Sequence, residues 1–350
     1  MGKKIVICAD GTWNTPHGVS VAANDTNVRK LFLALDDVPG QMRYYDSGVG
    51  TNGTPIDHLV GGAMGEGLFQ KVQDGYEFLA YVWDPGDEIY LLGFSRGAYT
   101  ARSLGGMIAA FGVPTKNFDN MTVENIFAAY RQTDAARRAE MKTALGAEYG
   151  LCDAKVRMIG VWDTVGALGI PGELFNVLHQ QRYGFLDTEL HPSVESAYHA
   201  VSIDERRASF MPTLWTNPDG SPRANDKQVT QVWFVGVHSD VGGGYAQSQL
   251  SDITLGWMMK NAIACGLDFS AEAKAAYLKL DPADALGQAH DEWKLIPWGI
   301  PEHRVVPANA VMANTVQLRL SDKTAAYRPE NLSLTAAGKL KGYAVVDVLA

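Results

Sequence analysis

Short apolar runs recur along the chain, and each is closed by a polar residue or a turn. Residues 3–9, 41–46, 88–94, 155–162 and 228–237 are rich in Ile, Val, Leu and aromatic residues. Runs of this length and composition predict buried strands. Between them the period changes. Residues 27–36 place Val28, Leu31, Phe32 and Leu35 at helical spacing, and 64–83 do the same with Leu68, Val72, Phe78 and Leu79. That spacing predicts amphipathic helices. A further helix is predicted from Ser95 to about Phe111, and another over 251–265 with Ser251 as its N-cap.

Strands alternating with helices predict an α/β domain, a mostly parallel sheet wound on both faces. The remaining stretches are read as elaborations of one domain over 1–350. Residues 114–150 are polar and alanine-rich, a helical insertion. Residues 166–227 are apolar yet aperiodic, a lid or substrate wall. Residues 266–350 mix short helical pieces with proline-containing loops, a C-terminal elaboration.

In such a sheet, ligands bind outside the carboxyl ends of the strands. Here the predicted strands end in Asp10, Asp46, Ser95, Asp163 and His238. One strand ending in a chemically able residue means little, but several along one rim make a candidate site.

The run from Glu88 to Arg102 contains Gly93-Phe-Ser95-Arg-Gly97, a G-x-S-x-G motif between an apolar strand and a helix. That turn lifts a serine hydroxyl above the sheet. The motif also arises by chance, so the serine needs partners: a base, an acid to orient it and donors for an oxyanion. Asp163 and His238 each follow a strand directly. Either could be a simple cap or packing group. Together they give the order Ser, Asp, His along the chain, which is that of α/β-hydrolases. The oxyanion donors would be the backbone N–H of Arg96 and one from the loop Gly11-Thr12-Trp13. Asp10 would order that loop. Asp240 would cap the glycine loop after His238, or take the place of Asp163.

Composition narrows the partners. A formal net charge of -9 argues against nucleic acid and against docking on an anionic membrane. Cys8, Cys152 and Cys265 have no metal-ligand spacing, and the first two sit in or beside apolar runs, where buried thiols are expected. No run approaches the roughly 20 apolar residues of a spanning helix. The first apolar run ends in Asp-Gly-Thr, unlike a signal peptide. The expectation is a cytoplasmic protein, or one exported without such a signal, with no cofactor or metal.

Five motifs taken in order resemble a known family. They are Asp10-Gly-Thr-Trp-Asn14, Tyr44-Tyr-Asp46-Ser-Gly-Val-Gly-Thr51, Gly93-Phe-Ser-Arg-Gly-Ala98, Val161-Trp-Asp-Thr-Val165 and His238-Ser-Asp-Val-Gly-Gly-Gly-Tyr245; Tyr327-Arg-Pro-Glu-Asn-Leu332 is a weaker sixth. The sequence is similar to the DUF2235 family of α/β-hydrolases, which includes the Tle1-type phospholipase effectors of bacterial type VI secretion. The resemblance implies an α/β-hydrolase fold, a triad on Ser95, Asp163 and His238, and hydrolysis of carboxylic esters, with phospholipid acyl esters the best-defined substrates. Two other readings stand beside it. Asp10-Gly-Thr partly matches D-x-D-G-T, so Asp163, His238 and Asp240 could serve a metal-dependent phosphoesterase, although Cys8 stands where that motif needs its nucleophilic aspartate. A non-catalytic binding module on the same fold is the other.

Overall fold

The computed structural model describes residues 2–11, 22, 24–48, 63–166 and 189–350. Its strands are Lys4–Ala9 (β1), Gln41–Asp46 (β2), Glu88–Phe94 (β3), Lys155–Trp162 (β4), Ala197–Ser202 (β5), Val229–Phe234 (β6), Val311–Ala313 (β7) and Ala344–Val346 (β8). Among the described residues they form one sheet in the order β2-β1-β3-β4-β5-β6-β7-β8. Every pair is parallel. All carboxyl ends therefore meet on one rim. This is the doubly wound α/β-hydrolase architecture.

Helices cover both faces of the sheet, which is why the inner strands read as unbroken apolar runs rather than alternating ones. On one face Ile5, Ile7, Leu91 and Ile159 pack with Leu68, Val72 and Leu79 of the helix Ala63–Val82 and with Leu104 and Ile108 of the helix Arg96–Phe111. On the other, Val6, Cys8, Leu92 and Met158 pack with Val28 and Leu31 of the helix Asn27–Ala34 and with Leu255 and Met258 of the helix Gln249–Ala264. Cys8 is buried as expected, but Cys152 is only partly so.

Residues 114–150 carry the helices Asn120–Tyr130 and Ala135–Tyr149, started by the capping side chains of Asp119 and Asp134. The second helix buries only Leu145 and Tyr149, and lies on the outside of the fold.

Three differences from the sequence reading have physical causes. Within 166–227, residues 167–188 lie outside the described residues, and Ala197–Ser202 is not lid but a central strand between β4 and β6. Its sequence, Ala-Tyr-His-Ala-Val-Ser, has little bulk, and His199 and Ser202 are buried. The 266–350 segment adds β7 and β8 to the sheet; at three residues each they are too short to carry a period. The helix expected from Ser251 begins at Gln249 with Ser248 at the cap, and the Ser251 hydroxyl turns back to donate to the Ser248 carbonyl (3.0 Å).

Candidate active site

Ser95 stands between β3 and the helix Arg96–Phe111, at φ 60° and ψ −123°. A non-glycine residue there stores about 1–3 kcal/mol of strain, which the surroundings must hold. They do so by close packing. A Cβ on Gly93 would lie 2.4 Å from the Gly97 carbonyl oxygen, and one on Gly97 would lie 2.1 Å from that of Ala9. Only glycine fits at either position, so the helix start is pressed onto the ends of β1 and β3. The Ser95 N–H donates to the Trp162 carbonyl (3.1 Å), which ties the turn to the end of β4.

Asp163 follows from the same register. Phe94 pairs with Trp162, so the next residues of the two strands, Ser95 and Asp163, leave the sheet side by side. Asp163 also has a positive φ, 40°, and its N–H donates to the Ala200 carbonyl (2.7 Å). Its buried carboxylate accepts four hydrogen bonds or ion-pair contacts. Oδ1 takes the Ser202 N–H (2.9 Å) and Arg304 Nη1 (2.6 Å); Oδ2 takes Arg304 Nη2 (2.9 Å) and His238 Nδ1 (2.5 Å). Burial alone would raise its pKa. The Arg304 guanidinium and the His238 ring override that and hold the carboxyl well below the usual range.

His238 opens a short helix, His238–Gly242, four residues past the end of β6. The turn before it is tied by carboxylates: Gly236 N–H donates to Asp204 (2.6 Å), Val237 N–H to Asp240 (3.0 Å) and His238 N–H to Glu205 (3.3 Å). The ring lies against Phe94, the residue before Ser95, with centroids 4.5 Å apart, and Phe210 meets it edge-on at 5.0 Å. With Nδ1 given to Asp163, Nε2 is the nitrogen left for proton transfer. Burial lowers the His238 pKa more than Asp163 raises it, so the ring is held neutral.

The other expected residues fall out as follows. Asp10 is buried and orders its surroundings. It accepts from Gly11 N–H (2.7 Å), the Thr26 hydroxyl (2.5 Å) and the Tyr45 hydroxyl (2.6 Å). The Gly11 amide thus leans on the Asp10 carboxylate at the start of the loop. Thr12 and Trp13 lie outside the described residues. Arg96 is the first residue of the helix after Ser95, and burial pushes its guanidinium down to about 10. Asp240 does not face His238; besides capping Val237 it holds His290 Nδ1 (2.6 Å). Asp163, His238 and Asp240 therefore do not converge as metal ligands, and among the described residues no group of His, Cys, Asp and Glu does.

Three groups escaped the sequence reading. Arg304 clamps Asp163 from a proline-flanked loop with no periodicity to betray it. His199 accepts the Thr164 N–H on Nε2 (3.1 Å), and its Nδ1 faces Gln231 Oε1 (3.4 Å). Burial and the Arg102 charge lower its pKa to about 3. Glu205 grips Arg207 with both oxygens (2.9 and 2.7 Å). Their only trace in the sequence is polarity inside or beside an apolar stretch.

Residues 3–261, well over half of the chain, match the family described as "T6SS, Phospholipase effector Tle1-like, catalytic domain". The chain belongs to this family. The uncharacterized protein YEL023C of Saccharomyces cerevisiae is 28% identical over 239 residues, 61% of this chain and 33% of that protein. An uncharacterized protein from Pseudomonas aeruginosa, solved as a crystal structure, shares the fold, with a TM-score of 0.51, 19% identity, and coverage of 83% of this chain and 51% of that one. The Tle1 effector bound to the VgrG spike of the type VI secretion system aligns at a TM-score of 0.37 and 20% identity, over 70% of this chain and 51% of the effector. The Tle1-like chain thus spans a third of its yeast relative and about half of each solved chain. Arg304 lies beyond the part that matches the family. Among the described residues, no helix is long and apolar enough to cross a membrane.

Proposed function

We propose that this chain is a serine hydrolase that cleaves carboxylic esters of lipids, phospholipid acyl esters among them, through a covalent acyl-enzyme. The observation that carries the reading is the 2.5 Å contact between His238 Nδ1 and an ionised Asp163, on a ring packed against Phe94 beside the strained Ser95 turn.

His238 Nε2 takes the proton of Ser95 Oγ as the oxygen attacks the ester carbonyl. Asp163 fixes the ring's tautomer and stabilises the imidazolium that forms. The negative oxygen of the tetrahedral intermediate accepts the Arg96 N–H and an N–H from the Gly11–Trp13 loop. The intermediate collapses, and the alcohol leaves with the proton from His238. Water then gives a proton to His238 and attacks the acyl carbon. The acid departs, and Ser95 regains its proton from the ring. Phe94 and Phe210 pack on two sides of the imidazole and hold its orientation.

A fluorophosphonate probe tests the reading. Labelling of wild type, no labelling of Ser95→Ala, and turnover of p-nitrophenyl esters that survives a chelator support it. A binding module would neither label nor turn over the ester, and a metal enzyme would stop in the chelator.

A further inference from the structure

Residues 291–304 form a strap that passes the site before Arg304 enters it. The strap is pinned along its length. Arg206 donates to Asp291 (2.5 Å) and lies over the Trp293 ring (5.3 Å), while Glu302 N–H donates to the Arg206 carbonyl (2.9 Å). Arg207 lies over Trp298 (5.2 Å), and Trp298 meets Phe210 edge-on (5.8 Å). Phe210 in turn touches His238, so Trp298 stands two ring contacts from the imidazole.

Between these pins the chain makes a tight turn, Leu295–Trp298, broken at Ile296 (φ −113°, ψ 119°). It is closed by Gly299 N–H to the Leu295 carbonyl (2.8 Å) and by the Trp293 indole N–H to the Gly299 carbonyl (3.1 Å). The turn presents its apolar side chains outward: Leu295, Ile296 and Ile300 are 63%, 84% and 82% exposed. Three neighbouring aliphatic residues held in water on a fixed turn mark an interaction site rather than incidental exposure.

Size and charge choose the occupant. Three aliphatic side chains fall well short of the roughly 800 Å² per partner that a stable protein interface takes. An interfacial insertion needs much less, and has aliphatic residues at the tip with tryptophans behind them at headgroup level. Trp293 and Trp298 occupy those places. The local charges, Asp291, Glu292, Lys294 and Glu302, carry no basic surplus. With a chain net charge of -9, an anionic surface would repel the tip.

We propose that the turn 293–300 is a docking tip that inserts Leu295, Ile296 and Ile300 into a zwitterionic lipid surface and holds the Ser95 rim against it. The purpose of this tip rests on the ester-hydrolase reading; its test does not. The Ser95→Ala chain, which cannot consume lipid, is mixed with phosphatidylcholine vesicles and pelleted. Binding is expected, with phosphatidylglycerol vesicles pelleting it no better. Ile296→Asp with Ile300→Asp should weaken partitioning by at least about tenfold, equivalent to about 1.4 kcal/mol. Circular dichroism and gel filtration should be unchanged, since both positions face solvent. An Ile296→Ser, Ile300→Ser pair should give an intermediate loss without added charge.

The proposal is overturned if the chain fails to pellet with phosphatidylcholine, or if both pairs of substitutions leave binding intact. Pelleting with phosphatidylglycerol alone overturns it in favour of charge-driven adsorption. A dimer that the substitutions dissociate also overturns it, because the tip then meets a second copy. Probe labelling of wild type is scored separately. Labelling without pelleting removes the tip alone, and pelleting without labelling removes the hydrolase reading alone.

Discussion

Arg304 grips the Asp163 carboxylate with both terminal nitrogens, at 2.6 and 2.9 Å, and both side chains are fully buried. The same guanidinium donates to the Ser202 and Phe210 carbonyls (2.9 and 2.5 Å). A residue outside the family-matched region therefore holds the acid that orients His238, and ties the strap to the end of β5.

Removing that cation leaves an unpaired buried carboxylate. Arg304→Met should lower stability by about 3–5 kcal/mol, read from urea unfolding. Arg304→Lys, which keeps the charge but loses the fork, should recover part of it. A loss below 1 kcal/mol would show that Asp163 is solvated or otherwise paired.

The activity profile should report the same balance. Burial holds His238 below its ordinary value, so the acid limb of kcat/KM should lie below about pH 6.5. With Arg304→Met, an uncompensated Asp163 should favour the imidazolium and move that limb to higher pH. A merely structural role for Arg304 would scale the rate without shifting the limb.

His199 gives stability a pH dependence of predictable sign. Its folded pKa is about 3, below the unfolded value near 6.5, so the unfolded chain takes up the proton first. Its contribution is complete above about pH 6.5 and is lost on acidification towards pH 3, at about 1.4 kcal/mol per unit. Asp204 acts oppositely. Burial raises it to about 6, so it favours the folded state more strongly as pH falls from 6 towards 4. The difference between wild type and His199→Gln cancels Asp204. That difference should shrink as pH falls, and a constant difference would contradict the neutral buried ring.

How far the sequence announces this structure depends on which signal each element carries. β1, β2, β3, β4 and β6 are legible because a parallel strand buried on both faces must be apolar throughout. β5 is hidden because it places two polar residues, His199 and Ser202, at buried positions. Ser95, Asp163 and His238 stand out because each follows an apolar run. Arg304 does not, since its partner lies 141 residues away and no local pattern records the pairing.

The close approach at Gly97 predicts a sharp penalty. Gly97→Ala puts a Cβ against backbone that cannot move aside without shifting β1. Stability should fall by at least about 1–3 kcal/mol by urea unfolding, and probe labelling at Ser95 should fall with it. Wild-type labelling in Gly97→Ala would mean that the Ser95 turn does not depend on this contact.

The central claim is that Ser95 is a nucleophile served by His238. Mass spectrometry of the fluorophosphonate-treated chain tests it most directly. The account predicts one adduct, on the peptide carrying Ser95, lost in His238→Ala while that variant remains folded by circular dichroism. An adduct on another residue, or undiminished labelling of Ser95 without His238, would contradict it.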